Sequence, residues 1–199
     1  MKFDKVLIKK IFYLVYVLIF LVFIGGAIIT PFVAFSDEKT ARSLYDAYAQ
    51  TCHQKLSRSF CVFEENSAFS FGDCTPQTGV FVNNDNRIIK SVMDGKVGYK
   101  IAVCSRDVGI YGAMVLAALF YPLFRKWDSG DVPPGIYLII LLIPLAIDGT
   151  AQLLGSFGIF GFYYESTNLI RLLTGVLAGA AITFYIIPLG MNIIDQMKL

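Results

Sequence analysis

Ile11–Ser36 reads IFYLVYVLIFLVFIGGAIITPFVAFS, a stretch without a charged side chain in which Ile, Val, Leu and Phe dominate. A helix needs about 20 mostly apolar residues to cross a bilayer core, so this stretch predicts a membrane span. Working outward, three more runs follow the same logic. They are Val108–Phe124, at the short limit, Val132–Tyr164, interrupted only by Asp148, and Leu172–Ile194. Lipid offers no partner to unpaired backbone groups, and no barrel-like alternation is present, so each run must be helical. Lys2, Lys5, Lys9 and Lys10 ahead of the first run resemble the basic start of a signal peptide. The run is longer than the about 7–15 apolar residues of such a peptide and lacks a small-x-small cleavage site. It is therefore expected to be a retained helix.

Composition agrees. Of 199 residues, 56% are hydrophobic and 16% charged, against about 25% charged in ordinary soluble domains. That excludes a disordered chain, a basic DNA-binding domain and a small soluble secreted protein. The net charge of +2 is too small to imply a polyanionic partner, so the expected partners are the lipid bilayer and a membrane protein, not nucleic acid.

Orientation follows from the distribution of Lys and Arg. The N-terminal lysines, Arg125 and Lys126 between the second and third runs, and Lys198 at the C-terminus fall on one side of a four-span protein. Both termini are thus expected in the cytoplasm of a multi-pass protein of the cell membrane. The last outward loop, Tyr163 to Asn168, has no Lys or Arg. The expected fold is an all-α integral membrane bundle of four transmembrane helices. Residues 1–36 form the tail and first helix, 37–107 an extracytoplasmic loop domain stabilised by disulfides or metal, and 108–199 the remaining three helices.

The loop domain is a different kind of sequence. Asp37 to Ser57 predicts a helix capped by Ser36 or Asp37, with Leu44, Tyr45 and Tyr48 on one face. Phe69–Cys74, Gly79–Val82 and Val97–Val103 read as short strands or loops, with a turn at Asn83-Asn84-Asp85. A region of about 70 residues has a thin core and calls for staples or docking.

All four cysteines and the single histidine lie in this region. An even cysteine count facing an oxidising compartment points to disulfides, and three pairings exist. The preferred one is Cys61–Cys74, closing a local loop, with Cys52–Cys104 tying the domain to the second span. A sharper alternative gathers Cys52, His53, Cys104 and Asp107 around zinc, since thiolate, imidazole and carboxylate are all zinc ligands. Zinc and no cofactor at all both remain open on sequence grounds. A third reading is thiol redox chemistry, as in small four-helix membrane enzymes that pass electrons from thiols to quinones. Cys104 opens a span, where a helix N-terminus lowers a thiol pKa, but Asp107 stands where a CxxC motif needs its second sulfur.

Ionisable residues within spans are costly and are functional candidates by default. Asp148 lies 14 residues past Pro134, about 21 Å along the helix axis, and Gln152 shares its face at i+4. Arg171 opens the fourth span, and Arg106, Asp107 and Tyr111 open the second. Glu165 and Asn168 belong to the last outer loop. All are expected at one level, the outer mouth of the bundle, beneath His53 and Arg58. The candidate roles are acid–base or anion-holding work for His53, Asp148 and Arg171, and binding for Arg58, Arg106, Tyr111, Gln152, Glu165 and Asn168. The bland alternative is an Asp148–Arg171 ion pair that only fixes the helices. Gly109, Ala113 and Ala117, with Gly175 and Gly179, read as close helix contacts. Tyr163 and Tyr164 read as members of the interfacial aromatic belt.

Four segments carry a family resemblance. They are Cys52-His53-Gln54 with Arg58-Ser59, Cys104 through Gly112, Pro144 through Gln152, and Glu165 through Asn168 with Arg171 and Thr174-Gly175. Together they resemble the pattern CHQ…RS, CxRCxGxYxG, PxxxDGxxQ and ESxNxxRxxTG of an uncharacterised family of small prokaryotic membrane proteins. The resemblance covers about residues 52–179. It implies that the residues at the outer mouth form one site, and it implies no particular activity. Asp107 departs from the pattern, replacing its second cysteine; a metal site tolerates that exchange and a CxxC redox couple does not.

Three functions therefore stand side by side, and whether the protein is an enzyme is left open. One is a site at the outer leaflet that binds metal and acts on a lipid or lipid-linked substrate. Another is a non-enzymatic membrane subunit whose stapled head binds a partner protein. The third is a thiol–quinone oxidoreductase. No Walker motif, nucleophile elbow, haem motif or HExxH occurs in the sequence.

Overall fold

The computed structural model describes residues 4–52, 55–66, 68–74, 81–82, 90–93, 96–158 and 163–197. It contains four helices long and apolar enough to cross a membrane. These are α1 (Lys5–Ser36), α3 (Ser105–Phe124), α4 (Gly135–Phe157) and α5 (Asn168–Gln196). A shorter helix, α2 (Glu38–Ala49), follows α1, and a 3-10 turn (Leu56–Arg58) leads into the strands β1 (Phe60–Glu65), β2 (Ala68–Asp73), β3 (Phe81–Val82), β4 (Lys90–Met93) and β5 (Lys96–Lys100).

The chain divides into two compact units. The first comprises residues 1–22, 109–166 and 170–199. Its core is Tyr16, Met114, Ala118, Tyr121, Ile187 and Met191, wrapped by Phe12, Tyr13 and Trp127. Helices α3 and α5 approach until Gly109 lies against the backbone of Leu172 and Val176, and Gly179 against that of Ile110, with no space for a Cβ. These are the close contacts expected of the small-residue spacing. The Tyr16 hydroxyl and Thr183 Oγ1 share a hydrogen bond of 2.9 Å. Lys9 pairs with Asp195 at 2.8 Å and donates to the Asp128 carbonyl at 3.0 Å. Helix α4 stops at Gly158, whose φ of 59° is a left-handed C-cap and whose N–H reaches the Gly155 carbonyl.

The second unit comprises residues 23–108 and 167–169. The five strands form one antiparallel sheet in the order β2-β1-β5-β4-β3. The expectation of an all-α protein with a few short strands or loops is corrected here: the molecule is mostly helical and carries a sheet. Strands β1 and β4 were not anticipated. The signal for β1 was the apolar run Phe60-Cys61-Val62-Phe63 followed by Asn66, whose φ of 49° marks a tight turn into β2. The hairpin register pairs Cys61 with Gly72 and Glu65 with Ala68. Helix α2 begins where expected, with the Asp37 carboxylate accepting from the Lys39 and Thr40 amides. The Thr40 hydroxyl, first, and those amides hold the Asp37 carboxyl below the usual range. The helix ends at Ala49 rather than near Ser57, and the Thr51 and Cys52 amides both donate to the Tyr48 carbonyl in its last turn. The expected turn at residues 83–85 and the strand residues 79–80 lie outside the described residues.

Prolines explain two tertiary contacts. Proline has no N–H, so it leaves the carbonyl four residues earlier without its helical donor. Pro31 frees the carbonyl of Ala27, which accepts the Ala102 amide at 3.2 Å. Pro122 frees that of Ala118, which accepts the Tyr13 hydroxyl. An orphaned carbonyl in an apolar setting costs about 1–3 kcal/mol. Tyr13→Phe is therefore expected to destabilise the first unit by about that amount, read as a lowered midpoint of thermal unfolding in detergent. An unchanged midpoint would mean that the hydroxyl carries no such bond.

Candidate functional site

In the second unit, the chain leaving α2 brings Cys52 to the start of α3. Cys104 immediately precedes α3 and Asp107 lies in its first turn. The Cys104 amide donates to Cys52 Sγ at 3.2 Å, and the Cys104 thiol donates to Asp107 Oδ2 at 3.1 Å. One ligand atom from each of the three residues falls within 4.8 Å of the others.

The structure corrects the preferred disulfide pairing in part. Cys61 and Cys74 form a disulfide, buried with Phe63. Cys52 and Cys104 are not joined by a disulfide; their side chains hydrogen-bond to each other, and their sulfurs also engage an amide and a carboxylate. The expectation of a lowered Cys104 pKa is also overturned. Its hydrogen bond with Cys52, then burial, then the Asp107 charge raise it, and together they outweigh the helix terminus.

A residue not anticipated as functional is electrostatically linked to the cluster. Lys100 is 0% exposed, its Nζ donates to the Ile101 carbonyl at 2.9 Å, and it lies 6.0 Å from the centre of the Tyr45 ring. Burial pulls its pKa down to about 8, while Cys52, Cys104 and Asp107 act in the opposite direction. Burial also raises the Tyr45 pKa, and the Tyr45 hydroxyl donates to the Lys100 carbonyl. A cleft of about 200 Å³ opens over the cluster, edged by Thr51, Lys55, Arg58 and Arg106. His53 lies outside the described residues.

Asn168 belongs to the same unit and is spent on structure. Its side chain takes the Ser105 hydroxyl at 2.9 Å and donates to the Ser59 carbonyl at 3.2 Å and to Asp73 Oδ1 at 2.9 Å. The Arg58 carbonyl, 3.1 Å from Ser105 Oγ, shares the same hydroxyl hydrogen. These bonds fix the segment bearing Arg58 and the start of α3.

In the first unit, a second polar group forms on α4, α5 and the segment between them. Glu165 Oε1 accepts from Arg171 Nη2 at 2.6 Å and from Gln152 Nε2 at 3.3 Å. Tyr164 donates to Asp148 Oδ1 at 3.0 Å. Arg171 is 1% exposed, Gln152 4% and Asp148 5%. Tyr164 is thus a polar partner and not merely a belt aromatic. Tyr111, expected to bind, stacks on Phe20 with ring centres 6.0 Å apart.

Comparison with known proteins places the chain. Residues 96–185, which include Cys104, Asp107, Asp148 and Arg171, match the family described as "Predicted membrane protein (DUF2085)". An uncharacterized protein of Methanocaldococcus jannaschii is 31% identical over 191 residues, which cover 93% of this chain and 96% of the relative. An uncharacterized protein of Methanothermobacter thermautotrophicus is 36% identical over 83 residues, 41% of this chain and 66% of the relative. No solved structure matches. With a relative that similar along nearly all of both sequences, and with four helices fit to cross a bilayer, the chain belongs to the DUF2085 family of predicted membrane proteins.

Proposed function

We propose that the protein is a four-span membrane protein that holds a transition-metal ion, zinc by its donor chemistry, at Cys52, Cys104 and Asp107 in an extracytoplasmic head. The observation that carries this reading is the meeting of two sulfurs and a carboxylate within 4.8 Å, from residues far apart in sequence. Sulfur, nitrogen and carboxylate donors at such spacing suit tetrahedral zinc. His53, adjacent in the chain to Cys52, is the candidate fourth ligand, and an open fourth position would give the ion a bound water.

The charge balance supports the same reading. Buried charge is tolerated only when compensated. Two neutral thiols, one carboxylate and the Lys100 ammonium sum to zero. A divalent cation that displaces two thiol protons leaves the sum at zero. Lys100 then offsets the surplus negative charge of a three-anion ligand set. Lys55, Arg58 and Arg106 around the cleft suit an anionic group on a substrate, such as a lipid phosphate. The Lys and Arg distribution supports a head on the outer face with both termini inside.

Metal analysis of protein purified without chelators tests this. One zinc per chain is expected, with Cys52 and Cys104 shielded from alkylation until a chelator is added. Two freely alkylated thiols without metal, or a Cys52–Cys104 disulfide on non-reducing mass spectrometry, would overturn it. The disulfide result would favour the thiol redox reading, which the proximity of the two sulfurs, not joined by a disulfide, also supports. Lys100→Met is expected to weaken zinc binding roughly 10–100-fold, the usual effect of removing a group that supports a ligand shell. Competition with a chromogenic chelator reads that change.

A further inference from the structure

The head carries an aromatic patch that the metal cluster does not use. In β2, Phe69 and Phe71 point to one face of the sheet, and both remain exposed, at 47% and 65%. The alternate residues of that strand, Ala68, Ser70 and Gly72, are small. Among the described residues, β2 is an edge strand. The patch continues onto the end of α1. Phe32 lies 5.1 Å from Phe69 and 6.3 Å from Phe71, ring centre to ring centre. Phe35 packs 5.5 Å from Phe69 and 4.7 Å from Tyr99. One turn earlier on α1, Ile28 and Ile29 are also exposed.

We propose that Phe69 and Phe71 insert into the headgroup–acyl boundary of the bilayer beside α1, so that the sheet edge is a lipid-binding surface. Three observations commit the patch to lipid. It is continuous with the exposed apolar surface of a helix that has the length and composition of a span, and lipid is the solvent for that surface. Aromatic rings prefer the interface, where an apolar body meets headgroups. An unpaired strand edge is too costly in hydrocarbon and well satisfied among water and headgroups, which limits the depth to the boundary. Among the described residues, the neighbouring charges are Glu64, in register with Phe69, and the Glu65–Lys96 ion pair. They carry no surplus positive charge, so the attraction is apolar and does not need anionic lipid.

Trp127 is the single tryptophan, so Trp127→Phe gives a silent background for a fluorescence test. Phe71→Trp is placed in that background and the full chain reconstituted in phosphatidylcholine vesicles. Some vesicles carry lipid brominated near the headgroup end of the acyl chain, and others lipid brominated near its tip. Leu123→Trp, at a position 77% exposed on α3, serves as the lipid-facing reference. Gln50→Trp, at the exposed end of α2, serves as the water-facing one. The Phe71→Trp emission is expected to be lost to bromine as strongly as that of Leu123→Trp, and more with shallow than with deep bromine. Emission that survives bromine as in Gln50→Trp would overturn the proposal. So would an unquenched but blue-shifted emission, which would show that a second protein surface covers the patch. If Phe71→Trp fails to fold, Phe69→Trp reads the same patch.

Discussion

Cys104→Ser is expected to abolish stoichiometric zinc binding. Cys104 touches both other members of the cluster: its amide donates to Cys52 Sγ and its thiol donates to Asp107. A serine hydroxyl does not deprotonate near neutral pH and is a poor zinc ligand beside a thiolate. Asp107→Asn should have a smaller effect, because an amide oxygen still offers a donor while the negative charge is lost. Zinc uptake by the native protein should release about two protons per ion, since both thiols must ionise. A pH indicator in weak buffer measures that number, and acidification should expel the metal. The Cys61–Cys74 disulfide is a separate, buried element, so its continued resistance to reductant in Cys104→Ser shows that the head has folded. A full equivalent of zinc on folded Cys104→Ser would place the ion elsewhere and remove the basis of the metal reading.

The other large effect concerns Glu165. Arg171 is fully enclosed, with its side chain 1% exposed, while the Glu165 side chain is 51% exposed. Truncating the two partners is therefore not equivalent. Removing the glutamate deprives a buried guanidinium of this carboxylate and of the water that would replace it. Removing the arginine leaves a carboxylate that water can reach. Breaking a buried pair costs about 3–5 kcal/mol, and half-exposure of Glu165 puts Glu165→Ala near the lower end, about 3 kcal/mol. Glu165→Gln keeps an oxygen for both Gln152 and Arg171 and should cost visibly less. Thermal unfolding in detergent ranks the variants. Equal losses for Glu165→Ala and Glu165→Gln would show that contact, and not charge, holds the segment.

The spans were legible because lipid imposes a length and forbids charge, and both constraints are written directly in uncharged runs. The α2 cap was legible for a similar reason: Asp37 followed by a helix-forming stretch has few other uses. The sheet was harder. In β1 the apolar residues run consecutively, since Cys61, Val62 and Phe63 are all buried and both faces of the strand are therefore covered there, and consecutive apolar residues do not show the alternation of a one-sided strand. Lys100 was invisible for the opposite reason. A lysine at the end of a strand normally marks the solvent side, and only the tertiary arrangement reveals one buried beside two sulfurs and a carboxylate. Among the candidate site residues, sequence reasoning named Cys52, Cys104 and Asp107 together, and also the group around Asp148, Gln152, Glu165 and Arg171. It did not anticipate Tyr164, which donates to Asp148 and which helical spacing does not reveal because it comes from the connecting segment.

The bond from Ala102 to the carbonyl that Pro31 releases bears on how this protein can be dissected. Severing the chain at Ser36 to obtain a water-soluble fragment of the second unit would strip that fragment of its acceptor and strand an exposed carbonyl on the helix left behind. The boundary of a self-sufficient piece therefore lies within the first helix, upstream of Ala27, and a soluble preparation has to carry the final turns of that helix with it.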